Sequence, residues 1–390
     1  MSKTLILDNG SFSIKAGFVT DEACKEFPNY VMKTKQSKMV YVSDLIDKTT
    51  DLSGLYFHSP FENGYIVNWD VQLSIWDRLY EDSALNCTPN DTNLVLTEPI
   101  FNPPSIKTNL YELIFEEYEF PSLISLSASE FVAKSNYLDL FQKERSVFPD
   151  SMIVVDIASI QNTFNRIDVG GLTLTNFLKH IVSYRSWDIR DDYYIANDIK
   201  EKCCFVSQNF NYDLKNFKDQ SYNNKYHVNY VLPDFTSSKK GIIKISENSE
   251  NLKDNEQILS VKNERITVPE ILFYPSDIGI NQGGIHEAVL ESIESCPERI
   301  RGLLANNIVV IGGTSHLPGL KDRLEKELRK LFPESFDVGV FIAPRNFSWQ
   351  AGKSVSLNLT QNTDQNNLTS FLSKSEYQEI GSSRTVEYFK

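Results

Sequence analysis

Two short segments near opposite ends of the chain limit its fold most tightly. The first is Leu7-Asp8-Asn9-Gly10-Ser11-Phe12-Ser13-Ile14-Lys15-Ala16-Gly17-Phe18. The second is Asn307-Ile308-Val309-Val310-Ile311-Gly312-Gly313-Thr314-Ser315-His316-Leu317-Pro318-Gly319. Each runs from an apolar strand into a polar turn that carries glycine. A turn whose backbone N–H groups are not covered by side chains can hold phosphate or pack against a nucleotide. The first also sets Asp8 beside its turn and Lys15 a few residues on, which suits a metal-bound phosphate.

The text between them alternates strand and helix patterns, which implies an α/β architecture. Strands are expected at 4–7 and 14–19 around a tight turn, at 94–97 and at 152–156. Helices are expected at 70–82, where Val71, Ile75 and Leu79 share a face, and at 105–119, 173–184 and 284–296. The clearest helix follows Pro318, with Leu320, Leu324, Leu328 and Leu331 in register. Residues 20–57 read as polar and irregular, 207–229 and 246–258 as mobile Asn/Lys-rich insertions, and 357–370 as a polar loop. A chain of 390 residues with 41% hydrophobic content is long enough for a large core and two domains.

A net charge of −13 argues against binding DNA through bulk charge, because phosphate neutralisation needs clustered Lys and Arg. Acidic surface confers solubility and suits basic partners such as histones. The cysteines Cys24, Cys87, Cys203, Cys204 and Cys296 are odd in number and lack metal-ligand spacing, so reduced thiols are expected. Neither a signal peptide nor an apolar run of about 18 residues is evident, so a soluble intracellular chain is expected. Ala351-Gly352-Lys353-Ser354 imitates the end of a P-loop, but Phe347 stands where that motif needs glycine.

Four more segments complete the pattern. They are Pro60-Phe61-Glu62-Asn63-Gly64-Tyr65-Ile66-Val67-Asn68-Trp69-Asp70, Leu96-Thr97-Glu98-Pro99-Ile100-Phe101-Asn102-Pro103, Asp198-Ile199-Lys200-Glu201-Lys202-Cys203-Cys204-Phe205-Val206 and Gly283-Gly284-Ile285-His286-Glu287. With the two turns, in this order, the chain resembles the actin family. The resemblance implies the two-domain fold shared by actin, chaperone ATPases and sugar kinases, with a central nucleotide cleft. It implies an outer domain of 1–131 plus 340–390, with 20–57 as a small subdomain. The inner domain is then 132–339, with 172–266 peripheral.

The resemblance also implies where ATP and magnesium would sit. Asp8 would approach the metal through water, the N–H groups of Asn9, Gly10 and Ser11 would face phosphate, and Lys15 would neutralise it. Asp156 matches the second metal-side acid. Gly171, Lys200, Glu201, Gly312, Gly313, Thr314 and Arg345 match the adenosine side. Three departures stand out. Phe12 replaces a loop glycine, so its ring is expected to crowd the phosphate cradle. The chain passes from Ile157-Ala158-Ser159-Ile160 to Arg166-Ile167-Asp168-Val169-Gly170-Gly171 too soon for the family's next strand pair, which carries a water-positioning histidine. Ala128 stands in place of the water-positioning glutamine. ATP is therefore expected to be bound without turnover, if bound, and no catalytic residue or resident metal site is assigned.

Ile114-Phe115-Glu116-Glu117-Tyr118-Glu119-Phe120, Tyr230-Val231-Leu232-Pro233-Asp234-Phe235 and Glu376-Tyr377-Gln378-Glu379 differ from conventional actin. They resemble the sixth class of nuclear actin-related proteins. That likeness implies a non-catalytic scaffold in a chromatin-remodelling complex that exchanges a variant histone, located in the nucleus with a cytoplasmic pool. It implies a remodelling ATPase and a zinc-finger HIT-type subunit as partners, with histones as a further candidate, and no homopolymer. The best partner-facing candidates are 207–229 with Phe210, Tyr212, Phe217, Tyr222 and Tyr226, the 246–258 segment, and Glu116–Phe120. The competing reading is an ATP-hydrolysing, filament-forming actin-like protein.

Overall fold

The computed structural model describes residues 3–34, 39–48, 55–135, 152–156, 159–160, 167–217, 226–234, 238, 240–244, 256–361 and 370–389. Two sheets organise them. The outer sheet has the spatial order Leu372–Ser373, Ser122–Ser127, Thr92–Glu98, Lys3–Asn9, Ser13–Phe18, Lys25–Pro28. The inner sheet has the order Ser159–Ile160, Ile153–Asp156, Ile308–Ile311, Val340–Ile342. In each, one strand is flanked by an antiparallel hairpin partner and a parallel neighbour.

Period-two alternation decides which side chains meet. From the outer sheet, Leu5, Leu7, Leu94, Leu96 and Leu123 enter one core. Ile6, Val95, Ile124 and Leu126 enter another. From the inner sheet, Ile153, Val155, Ile308 and Val310 join a third core, whereas Val154, Val309 and Ile311 join the layer already fed by Ile6 and Val95. That shared layer is filled by the helices Ala128–Lys134 and Phe347–Gln361, through Phe131, Val132, Phe347, Trp349, Ala351 and Val355. Ile308–Ile311 is buried at every residue, the pattern of a parallel strand covered on both faces. The parallel strands end on one side with Asn9, Glu98, Asp156 and Ile311, and the turns that follow them gather there, as ligand-binding turns do in open α/β sheets.

Several expectations need correction. Residues 20–57 are not simply irregular: Val40–Val42, Val31–Thr34 and Leu55–His58 form a three-stranded sheet over a cluster of Tyr30, Met32 and Ile46. The 105–119 helix is Pro104–Glu112 followed by a π-helical turn, Leu113–Glu117. Within 207–229, Phe210–Phe217 is a helix, and Val228–Val231 is a strand between Ile242–Lys244 and Ile258–Val261. Residues 218–225, including Tyr222, and 245–255 lie outside the described residues. The helix Phe347–Gln361 runs into the expected 357–370 loop and contains the P-loop look-alike, so no phosphate turn forms there. The expected boundary at 340 falls inside the inner sheet, because Val340 pairs with Ile308.

Candidate nucleotide site

The outer turn is built by a hairpin in which Asp8 faces Lys15 and Asn9 faces Ile14. Gly10 is needed there: a Cβ would lie 2.7 Å from the Ser13 carbonyl oxygen. Lys15 Nζ lies close by, 3.8 Å from that Cβ position. The turn N–H groups differ from expectation. Asn9 N–H donates to Thr97 Oγ1 at 2.9 Å, and Gly10 N–H to the Asp8 carbonyl at 3.1 Å. Neither is free for phosphate, which corrects the expected three-donor cradle. The Ser11 N–H remains, with no acceptor among the described residues.

Asp8 is buried and accepts from Thr97 Oγ1 at 2.9 Å, so Thr97 ties the acid and the turn to the neighbouring strand. Asn9 exchanges amide hydrogen bonds with Gln72, and Asn29 donates to Asn9 Oδ1 and to the Gly10 carbonyl. Linear reading missed Gln72 and Asn29, because nothing near them marks a site. Thr97 stood within a family-like segment, but its partner is 89 residues away. The Phe12 ring packs on Tyr30 and Tyr193.

Asp156 pairs with Ser159 in an antiparallel hairpin and lies beside Ile311 in the parallel direction. Ser159–Ile160, which falls where the resemblance places a turn, is a two-residue strand. Residues 157–158 and 161–166, with Arg166, lie outside the described residues. Ala128 opens the helix Ala128–Lys134, whose N-cap Ser127 and Glu130 satisfy each other in a capping box. That helix end is closed by its own side chains and offers no amide side chain at the glutamine position.

On the opposite side, Gly171 starts the helix Gly171–Arg185, and a Cβ there would lie 2.6 Å from Thr314 Oγ1 and 3.6 Å from Lys200 Nζ. Lys200 and Glu201 lie on the helix Tyr193–Cys203. The Lys200 ammonium is turned inward, donating to the Gly171 carbonyl at 3.0 Å, Thr175 Oγ1 at 2.8 Å and Asn197 Oδ1 at 2.8 Å. Burial pulls its pKa down to about 8. Glu201 accepts from Asn197 at 3.1 Å and lies 4.0 Å from Arg345, both of them exposed. Gly171, Lys200, Glu201, Thr314 and Arg345 therefore converge. Gly312 takes φ +92°, a conformation that favours glycine. A Cβ on Gly313 would meet nothing within 4 Å. The two glycines thus differ: Gly312 serves the backbone, and Gly313 leaves open space.

The residues fit ATP in part. The Ser11 N–H and Lys15 would hold phosphate, and Gly313, Thr314, Glu201 and Arg345 would border adenosine. Among the described residues, no group of three or more His, Cys, Asp or Glu side chains could hold a metal ion. All five cysteines are free, and burial pushes the Cys203 thiol up to about 12, so neither vicinal thiol is poised to react. No described helix is long and apolar enough to cross a membrane.

Two segments that set this chain apart from conventional actin meet in space. Tyr377 stacks on Phe115 at 4.5 Å and 20°, and its hydroxyl donates to Glu116 at 2.7 Å. Lys374 pairs with Glu119 at 3.3 Å. The partner-facing candidates narrow accordingly. Phe120 is buried, and Phe217 is buried against Tyr226 and His227, so neither ring is an exposed anchor. Tyr212 is 61% exposed.

The family model described as actin matches residues 1–390. A Drosophila melanogaster protein named actin-related protein 6 is 33% identical over 368 residues, covering 90% of this chain and 92% of its own. An Oryza sativa subsp. indica protein of the same name is 34% identical over 432 residues, covering 100% and 99%. A Cryptococcus neoformans protein named actin-like protein ARP6 is 36% identical over 371 residues, covering 87% and 75%.

Proposed function

The chain belongs to the actin family, and from that premise we propose that it is a non-catalytic scaffold subunit of a nuclear chromatin-remodelling complex that exchanges a variant histone. The observation that carries the non-catalytic reading is the capped, amide-free helix start at Ala128, taken with the short run of sequence that separates Asp156 from Gly171. Hydrolysis of a terminal phosphate needs an oriented water and donors aimed at developing charge. With two of the three assigned outer-turn N–H groups engaged within the protein, the donor set is reduced as well.

Bound ATP with magnesium would be a structural ligand. Ser11 and Lys15 would hold its phosphates, and Gly313, Thr314, Glu201 and Arg345 would border its adenosine. The chromatin role draws support from the resemblance to the sixth class of actin-related proteins and from the exposed Glu116 and Glu119, which lie beside the buried Phe115–Tyr377 stack in an acidic protein of net charge −13. On this reading the partners are a remodelling ATPase, a zinc-finger HIT-type subunit and, at the acidic surface, histones. The protein resides in the nucleus with a cytoplasmic pool.

Affinity purification from nuclear extract, with identification of the co-purifying subunits, tests this. A remodelling ATPase should co-purify in a fixed ratio, and the purified protein should stay in the supernatant when sedimented with ATP and magnesium. Filaments in the pellet, with no remodelling ATPase in the eluate, contradict it.

A further inference from the structure

The Phe12 ring closes a circuit of four aromatic side chains. It lies 5.6 Å from Tyr30 and 6.1 Å from Tyr193, measured between ring centroids. Phe57 completes the figure, 4.5 Å from Tyr30 and stacked on Tyr193 at 4.6 Å and 23°. Each ring comes from a different segment. Phe12 is on the outer turn, Tyr30 precedes the strand Val31–Thr34, Phe57 is on Leu55–His58, and Tyr193 is the first residue of Tyr193–Cys203.

The circuit joins the two lobes. Tyr30 belongs to the apolar cluster of the small outer sheet, with Phe57 and Phe12 packed against it. The helix of Tyr193 is rooted in the inner core by Ile195, Ala196 and Ile199. Tyr193 is only 6% exposed although it begins a helix, and Lys179 Nζ lies 5.7 Å from its ring centre while donating to the Arg190 carbonyl. The same helix carries Lys200 and Glu201, so it sits at the candidate site. The separations and tilts are those at which aromatic pairs attract beyond their buried area.

We propose that these four rings are an interlobe latch that holds the small outer subdomain against the Tyr193 helix whether or not nucleotide is bound. Phe12 makes the phosphate turn part of the fastening: its ring meets Tyr30 on its own lobe and Tyr193 on the far one. Closure then rests on contacts within the chain. A ligand that favours neither the open nor the closed arrangement shifts nothing, and a latch already closed leaves it little to shift.

Hydrogen–deuterium exchange on the full-length protein tests this. In the wild type, amide protection across 26–34, 55–58 and 193–200 should be the same with and without ATP and magnesium. Tyr193→Leu and Phe12→Gly should each speed exchange there by about tenfold, the order expected for losing one or two ring contacts. The strands Lys3–Asn9 and Ile308–Ile311 should keep their protection, which shows that the variants fold. If Tyr193→Leu melts both sheets, Phe12→Gly carries the test, because exchange at 193–200 reports on the far lobe and not on the altered turn. Phe12→Tyr should behave as wild type. Unchanged exchange at 193–200 in Phe12→Gly overturns the proposal. So does a wild type in which these segments exchange fast until ATP and magnesium slow them.

Discussion

In the outer sheet, Lys3–Asn9 has a six-residue hairpin partner, Ser13–Phe18, and a third strand, Lys25–Pro28, beyond it. In the inner sheet, Ile153–Asp156 has a two-residue partner, Ser159–Ile160, and no third strand among the described residues. On their other sides the two sheets agree, each adding parallel strands. The difference separates what holds the fold from what handles phosphate. The parallel strands lie between two apolar layers, so each buried Ile, Val or Leu contributes about 1.5–3 kcal/mol relative to exposure. A hairpin at a sheet edge shares less of that burial, and it can shorten while the parallel frame keeps both layers. The hairpin carries the turn, so on the proposed reading a change there bears on phosphate handling while the parallel frame stays intact.

The shared layer offers the largest effect with which to break this comparison. Trp349 is buried there, and its ring sits 3.1 Å from where a Gly17 Cβ would be. Trp349→Ala should cost about 3–5 kcal/mol in urea unfolding, with both lobes weakened together. Loss confined to the outer lobe, with hydrogen exchange in Ile308–Ile311 unchanged, would show that the layer does not serve both sheets.

The lysines of the two lobes come next. Lys15 is half-buried beside its turn, whereas Lys200 is buried and its ammonium is held near 8, below the usual 10.5. Between those values the unfolded chain binds the proton that the folded chain has released, so stability rises with pH across that window. Lys200 therefore opposes folding at neutral pH, and the opposition fades as pH rises from about 8. The stability of wild type relative to Lys200→Met should grow by on the order of 1–3 kcal/mol across that range. A difference that stays flat with pH would remove the buried cation from the account.

The glycines sharpen the comparison at the smallest scale. Gly10→Ala drives a Cβ to 2.7 Å from the Ser13 carbonyl and should destabilise by about 1–3 kcal/mol. Gly313→Ala meets nothing within 4 Å and should change thermal stability by no more than about 0.5 kcal/mol. Equal losses at both positions would mean that the turn after Ile308–Ile311 is as tightly built as the outer one.

Much of the frame was legible because strand alternation and four-residue helix spacing are local. Val71, Ile75 and Leu79 are all buried as their spacing required, as are Leu320, Leu324 and Leu328. The small outer sheet was not legible, since its apolar cluster draws Tyr30, Met32 and Ile46 from short segments that mix apolar and polar residues without a sustained period. Of the site, the glycine positions could be read but not their reasons. Gly10 answers to Ser13 and Gly171 to Thr314, and the second partner is far along the chain. The inward turn of Lys200 depends on Gly171, Thr175 and Asn197, and the direction of the Phe12 ring depends on Tyr193. No local pattern encodes those contacts.

The most direct test of the separation between fold and chemistry is steady-state phosphate release from purified protein supplied with ATP and magnesium. The account predicts no release above a protein-free control, in wild type and in Asp8→Ala alike, with both remaining folded. Turnover comparable to filament actin that disappears in Asp8→Ala would contradict it.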